Sequence, residues 1–152
     1  MDSIRRRASW LLCMLMVASG GYALGQTQTA VKYFPASEVD AAFVKGGVLV
    51  DGGNFRVMTP TRTAGGEAEL HATDADIFHV LEGTATFVTG GTLVGGRETA
   101  PGETRGTSLD GGTPYALKAG DVITIPAGVP HWFKDVQGRL RYFVVKVPGP
   151  SR

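Results

Sequence analysis

Short runs in which apolar and polar residues alternate, separated by glycine- and proline-rich turns, fill most of the chain beyond residue 46. Alternation with a period of two is the pattern of strands that bury one face, and closely spaced turns are typical of antiparallel sandwiches and barrels. The pattern therefore predicts an all-β fold. The predicted strands are Val48–Val50, Asn54–Thr59, Glu67–Ala72, Ile77–Leu81, Ala85–Thr89, Tyr115–Lys118, Val122–Ile125, His131–Lys134 and Leu140–Val147.

One short helix is expected before the strands, because Ser37-Glu-Val-Asp40 has the spacing of a helix N-cap. The helix is predicted over Ser37–Val44, and Gly46-Gly47 ends it. Farther along, Glu82-Gly83 and Thr89-Gly90-Gly91 have the chemistry of turns between strands. The sequence contains no internal repeat, which favours a single domain over residues 26–152.

The first 25 residues have the organisation of a signal peptide. Arg5-Arg6-Arg7 precede the apolar run Trp10–Ala18, and the small residues Ala23-Leu-Gly25 follow it. The run is shorter than the ~20 residues that a membrane-spanning helix needs. We therefore expect cleavage after Gly25, no stable membrane span, and an exported protein that is periplasmic or secreted. The chain's one cysteine, Cys13, is removed with this segment, which argues against a disulfide scaffold or a cysteine nucleophile.

The charge of the chain is nearly balanced, with a formal net charge of +1 at pH 7. Residues 1–25 carry more basic than acidic side chains, so their removal leaves the domain close to neutral. No basic surface of the kind that binds nucleic acid is predicted. A small-molecule ligand or a second copy of the chain, forming a homodimer, is the expected partner.

One histidine follows a predicted strand and a tight turn. Val122–Ile125 favours a strand, Pro126 ends it because proline lacks a ladder donor, and Gly128 permits the reversal that leads to His131. This segment resembles the second signature of the cupin superfamily, Gly-x5-Pro-x-Gly-x2-His-x3-Asn, with Asp135 in place of the asparagine. The resemblance implies an antiparallel double-stranded β-helix, or jelly-roll barrel, with His131 pointing into its mouth.

The first cupin signature, Gly-x5-His-x-His-x3,4-Glu-x6-Gly, is matched less closely. In one register His71 is the first histidine and Thr73 replaces the second, but too few residues then separate Thr73 from Asp76. In the other register Glu69 replaces the first histidine, His71 is the second, and Asp76 replaces the glutamate. We favour the second register, because all spacings from Glu69 to Gly83 then match and residues two apart on a strand share a face.

The resemblance implies a metal site formed by Glu69, His71, Asp76 and His131. Imidazoles and carboxylates together suit Mn, Fe, Ni, Cu or Zn, whereas Ca and Mg favour oxygen ligands alone. The alternative is a metal-free jelly roll whose interior histidines hydrogen-bond to neighbours or water. His79 lies three residues beyond Asp76 and is expected on the opposite face, as a non-ligand.

A glycine-rich insertion at about residues 90–112 separates the two signatures. It is interpreted either as a flap over the mouth of the barrel or as a solvated excursion or hairpin that serves a dimer contact. The charged residues of such a flap are Arg97, Glu98, Glu103 and Arg105. Arg62 and Tyr142 are further candidates to reach the pocket.

Two classes of function follow from these features. The resemblance implies either a metal-dependent enzyme acting on a small organic molecule, with dioxygenase, isomerase, epimerase or decarboxylase chemistry, or a non-catalytic cupin that binds a small ligand or serves a structural role. In the first class His71, Asp76 and His131 hold the ion, and Glu69 is a further ligand or a general base. The fold alone does not distinguish the two classes.

Overall fold

The structure, a computed structural model, describes residues 30–149. One helix and twelve strands lie within this range, and the strand pairings are antiparallel, as the sequence predicts. The elements are α1 (Ala36–Lys45), β1 (Val48–Asp51), β2 (Arg56–Met58), β3 (Thr61–Arg62), β4 (Ala68–His71), β5 (Ala75–Thr89), β6 (Thr92–Val94), β7 (Arg97–Ala100), β8 (Glu103–Gly106), β9 (Ser108–Asp110), β10 (Thr113–Lys118), β11 (Val122–Ile125) and β12 (His131–Val147).

The predicted helix exists, but its N-terminus is not capped by Ser37. Helix α1 starts one residue earlier, at Ala36, with Pro35 at the N-cap and no capping side-chain hydrogen bond. The Pro35 carbonyl instead accepts hydrogen bonds from the amides of Glu38 and Val39. Pro35 has the extended backbone of an N-cap residue, with φ −63° and ψ 156°, and it has no amide hydrogen to leave unsatisfied.

Two long strands organise the sheet, where the sequence pattern predicts four short ones. Strand β5 passes through Glu82-Gly83 without a turn, and β12 runs uninterrupted from its first to its last residue. Gly83 has a φ of +86°, and the β12 register shifts near Gln137 opposite it. The glycine is therefore a bend within a continuous strand, placed where the backbone of β12 approaches too closely for a side chain.

The pairing of these strands produces the jelly roll that the resemblance implies. Strand β12 pairs with β2, β3, β4 and β5, and β5 also pairs with β10 and β11. Residues of alternating position on β5 and β12 enter one core, in which Phe87 and Leu140 are fully buried. The rings of Phe78, Phe133 and Tyr142 pack against one another with centroids 5.1 to 5.8 Å apart. This aromatic layer forms the floor beneath the candidate site.

The insertion between the two signatures is built of short antiparallel strands, as in the hairpin interpretation, and its use in a dimer contact stays a prediction. It forms strands β6, β7, β8 and β9, and β8 pairs with β4 in register from Ala68 opposite Gly106 to His71 opposite Glu103. The glycine-rich composition suggested a loop because its strands are short and set apart by tight glycine turns. Its effect on the site is direct, since β8 lies beside the strand that carries two of the predicted ligands.

Two further expectations concern the membrane and the N-terminus. Within residues 30–149, the helix is too short to cross a membrane. The signal peptide predicted over residues 1–25 lies outside the described residues.

Replacing Gly83 with alanine is expected to destabilise the protein by about 3 kcal/mol, because a positive φ and a steric clash act together. A Cβ atom at this position would lie 2.9 Å from backbone atoms of Arg139 and Leu140. Gly138→Ala is the matched control: Gly138 has a φ of +73°, but a Cβ atom added there would meet no other atom within 4 Å. Chemical denaturation should give a loss of about 1 kcal/mol for the control. Equal losses in the two variants would contradict the close approach of β5 and β12.

Candidate metal centre

Three strands bring the four predicted ligands to one end of the core. Glu69 and His71 lie on β4, Asp76 begins the inward-facing series of β5, and His131 is the first residue of β12. The β4–β12 pairing sets Glu69 directly opposite His131. Both histidines and Asp76 are buried, at 3 to 8% relative exposure. All four predicted residues therefore meet in space, in the register that places Glu69 and His71 on one face.

The donor atoms of these residues lie close together. The ligand atoms of Glu69, His71 and His131 are all within 4.8 Å of one another. His71 Nε2 lies 3.3 Å from Asp76 Oδ2 and 3.8 Å from Glu69 Oε2, and His131 Nε2 lies 3.8 Å from Asp76 Oδ2. An ion bound at about 2.1 Å separates neighbouring ligand atoms by about 3.0 Å in an octahedral shell and about 3.4 Å in a tetrahedral one. To bind one ion, the most widely separated pair of these atoms would have to approach by about 0.6 Å if they were trans in an octahedral shell, and by about 1.4 Å in a tetrahedral one.

The hydrogen bonding of His131 determines which nitrogen is available. Its Nδ1 lies 3.1 Å from the carbonyl oxygen of Val129, which only accepts, so Nδ1 carries the hydrogen. Burial lowers the pKa of the imidazole, with the bond to Val129 acting in the opposite sense, so the ring is neutral at pH 7. Nε2 then presents a lone pair, and it is buried with no hydrogen-bond partner among the described residues. An imidazole oriented by its other nitrogen in this way is the usual form of a metal-binding histidine.

The centre has more acceptors than hydrogen atoms to satisfy them. A hydrogen on His71 Nε2 can serve Asp76, but the lone pair of His131 still faces a carboxylate. A cation between these atoms would remove the repulsion and satisfy the unpartnered nitrogen. The residues present therefore fit a divalent transition metal ion.

Lys146 is a member of the site that sequence reasoning missed. Its Nζ lies 2.8 Å from Asp76 Oδ1, and the two side chains are 16% and 4% exposed. Burial acts to raise the pKa of the Asp76 carboxyl, but the contacts with His71 and Lys146 together outweigh burial and hold this pKa below its ordinary value. A signal was present in the sequence, since Lys146 shares the period of two with the inward-facing Tyr142 and Val144.

Two arginines bind the remaining carboxylate. Arg105 Nη1 donates to Glu69 Oε1 at 3.0 Å, and Arg62 Nη2 lies 3.5 Å from the same oxygen. Arg105 also forms a 2.6 Å ion pair with Glu103, its neighbour on β8. Arg62 Nε donates to the hydroxyl of Tyr142 at 2.8 Å. Four of the further residues that the sequence analysis named therefore line the cleft beside the centre: Arg62, Glu103, Arg105 and Tyr142.

Other candidates lie away from the centre. Arg97 forms an ion pair with Glu67 at 2.8 Å, and the side chain of Glu98 accepts from the amide of Gly102. His79 is exposed on the opposite face of β5, as expected of a non-ligand. The Thr73 side chain binds Asp74 and is exposed, so the alternative register does not bring it into the ligand group.

The centre opens into a cleft of about 370 Å³. Its walls combine the charged residues above with apolar side chains, among them Met58, Phe133 and Val144. This volume lies toward the small end of the ~300–1,000 Å³ range of ligand pockets. The arrangement can hold an ion with a small molecule beside it.

Comparison with known proteins bears on the fold alone. No protein-family model and no curated protein matches the sequence. Among solved structures, BH2720 from Bacillus halodurans has a TM-score of 0.55 at 18% identity, covering 84% of this chain and 89% of its own. A protein with a double-stranded β-helix domain from Klebsiella pneumoniae has a TM-score of 0.49 at 18% identity, with 70% and 78% covered.

A cupin protein from Bacteroides fragilis has a TM-score of 0.43 at 14% identity, covering 65% of this chain and 70% of its own. The strand topology is that of an antiparallel double-stranded β-helix, in agreement with the sequence resemblance. At these identities the likeness concerns the fold and carries no information on activity.

Replacing Lys146 with methionine in the metal-free protein is expected to cost about 3 kcal/mol of stability, because the buried Asp76 carboxylate loses its partner. The Asp76→Asn/Lys146→Met double variant should recover much of this loss, since no buried charge is left unpaired. Arg139→Met is the control: it breaks the pair with Glu82, whose side chains are 59% and 42% exposed, and should cost far less. Urea denaturation measures all three, and a Lys146 loss no larger than the control would contradict a buried ion pair.

Proposed function

We propose that this cupin-fold chain binds one divalent transition metal ion through Glu69, His71 and His131, with Asp76 as a fourth donor, and acts on a small organic molecule in the adjoining cleft. The observation that carries the proposal is the meeting of electron-rich atoms at one buried point, including the unpartnered Nε2 of His131. No group of the described residues donates a hydrogen bond to that nitrogen.

The donor set favours Mn, Fe, Ni, Cu or Zn. Two imidazole nitrogens are poor ligands for Ca and Mg, which prefer oxygen. Two carboxylates lower the charge of the loaded site and favour a harder ion such as Mn or Fe over Cu(I). Which of these ions occupies such a site depends on their availability in the compartment as well as on their affinity for the ligands.

When bound, such an ion supplies Lewis-acid or redox chemistry, and four protein donors leave positions of an octahedral ion open. The surrounding residues have their own parts in this proposal. Val129 fixes the tautomer of His131, and Lys146 holds Asp76 in place. Arg105 fixes Glu69 by a hydrogen bond to one carboxylate oxygen, Oε1, which leaves Oε2 on the side of His71. An oxygenase, isomerase or decarboxylase reaction on a small organic molecule is consistent with this arrangement.

The three histidines of the chain provide an internally controlled test. The protein is incubated separately with Zn²⁺ and Mn²⁺, dialysed, and analysed for metal by mass spectrometry. Wild type and His79→Ala should retain one ion per chain, because His79 is exposed on the opposite face. His71→Ala and His131→Ala should each retain at least about tenfold less at the same free metal concentration.

Circular dichroism of the same samples checks that the variants are folded. Wild-type protein that retains neither metal would refute the proposal and favour the alternative, a non-catalytic ligand-binding or structural cupin. Equal retention in all three histidine variants would place the ion elsewhere and would also refute it.

We also propose that the protein is exported after removal of residues 1–25. The support is the order of basic, apolar and small residues in that segment. The full-length chain should yield a mature protein that begins at Gln26 and is found outside the cytoplasm, as measured by N-terminal sequencing of fractionated cells. Arg5→Glu/Arg6→Glu/Arg7→Glu should slow processing, and an intact Met1 in the cytoplasmic fraction of the wild type would contradict export.

A further inference from the structure

One cation in the cleft is held in place and shares its nearest carboxylate with a second arginine. The guanidinium of Arg62 lies over the ring of Phe133, 4.9 Å from its centroid, while Nε donates to the hydroxyl of Tyr142. Its nearest carboxylate oxygen, on Glu69, is 3.5 Å away and is shared with Arg105 at 3.0 Å. These contacts use Nε and Nη2 and leave Nη1 for a ligand. A guanidinium fixed in this way is prepared for a planar anion, because it loses little freedom on binding.

Tyr142 extends the same recognition surface. The residue is 2% exposed, and its hydroxyl accepts from Arg62, so its own hydrogen remains to be donated. Burial is the largest influence on this phenol and raises its pKa, while Arg62 opposes the change. Tyr142 therefore stays protonated at neutral pH and offers a donor beside the guanidinium.

The charge of the cleft depends on the ion. Its lining contains four arginine or lysine side chains and five carboxylates, a net charge of −1. Asp76 is paired with Lys146, and Glu103 with Arg105, so these charges cancel locally. A divalent ion would change the net charge of the cleft to +1, and Arg62 lies beside Glu69, one of the residues that would hold the ion. An anion is then attracted, whereas without the ion it is repelled.

The size and the apolar walls restrict the anion further. A cleft of about 370 Å³ suits a molecule of few atoms. Met58, Phe133 and Val144 offer an apolar surface to its uncharged part. A carboxylate has two oxygens, one to accept from Nη1 of Arg62 and one from the Tyr142 hydroxyl, and its single charge matches one guanidinium better than the larger charge of phosphate does.

We infer that the cleft binds a small monocarboxylate whose carboxylate group is held by Arg62 and Tyr142, and that it does so only when the metal site is loaded. This inference rests on the metal site proposed above. It assigns Arg62 and Tyr142 as substrate-binding residues and names the class of small molecule on which the centre acts. Arg105 remains with Glu69 when Arg62 is replaced, so the metal site and the carboxylate site can be separated by mutation.

Pyruvate is a suitable probe, with pyruvamide as its neutral counterpart of nearly equal size. Titration calorimetry on the Zn²⁺- or Mn²⁺-loaded protein should detect pyruvate binding, and pyruvamide should bind at least about tenfold more weakly. Arg62→Met should weaken pyruvate binding at least tenfold, and Tyr142→Phe several-fold. Arg139→Met, a change at an exposed arginine paired with Glu82, should leave binding unchanged.

The metal content of every sample is measured alongside, so two failures can be distinguished. Wild type without metal defeats the proposed function. Normal metal content in Arg62→Met together with lost pyruvate binding supports the carboxylate site. Four results obtained with normal metal content would overturn the carboxylate site. The first two are equal binding of pyruvate and pyruvamide, and unchanged pyruvate binding in Arg62→Met. The others are tighter binding of inorganic phosphate than of pyruvate, and equal pyruvate binding by the metal-free protein.

Discussion

The structure depends on a balance of charge at one buried point. Two imidazoles and two carboxylates converge there, and the lone pair of His131 Nε2 has no hydrogen to accept from the described residues. Such an arrangement is unfavourable in a low-dielectric interior unless a cation completes it. The strand pairing brings these side chains together, because the register that buries the aromatic core also sets Glu69 opposite His131.

The surrounding cations allow the fold to tolerate this centre without an ion. Lys146 neutralises Asp76 from one side, and Arg62 and Arg105 bind Glu69 from the other. Each cation contacts the carboxylate oxygen that faces away from the histidines, Oδ1 of Asp76 or Oε1 of Glu69. These cations therefore lie outside the donor group, and the proposed metal ion would enter without displacing them and would change the net charge of the cleft from negative to positive. The metal site and the proposed carboxylate site are coupled through this charge.

The convergence of four side chains was easier to predict from the sequence than the strand boundaries were. The resemblance to the two cupin signatures named Glu69, His71, Asp76 and His131, and the structure brings these side chains together, whereas their metal binding stays a prediction. The continuity of β5 through Gly83 could not be predicted, since a glycine at a turn and a glycine at a close approach look alike in sequence. The ion pair of Lys146 depends on cross-strand register, which a single sequence does not specify, and the same holds for the strands formed by residues 90–112.

X-ray absorption spectroscopy of the zinc-loaded protein tests the central claim most directly, because it identifies the atoms around the ion. We expect a first shell of nitrogen and oxygen at about 2.0 to 2.2 Å, with the outer-shell scattering of two imidazole rings. One of these rings should disappear from the spectrum of His131→Ala. A shell of oxygen atoms without imidazole, or a spectrum unchanged in His131→Ala, would contradict a metal centre built on the buried histidines.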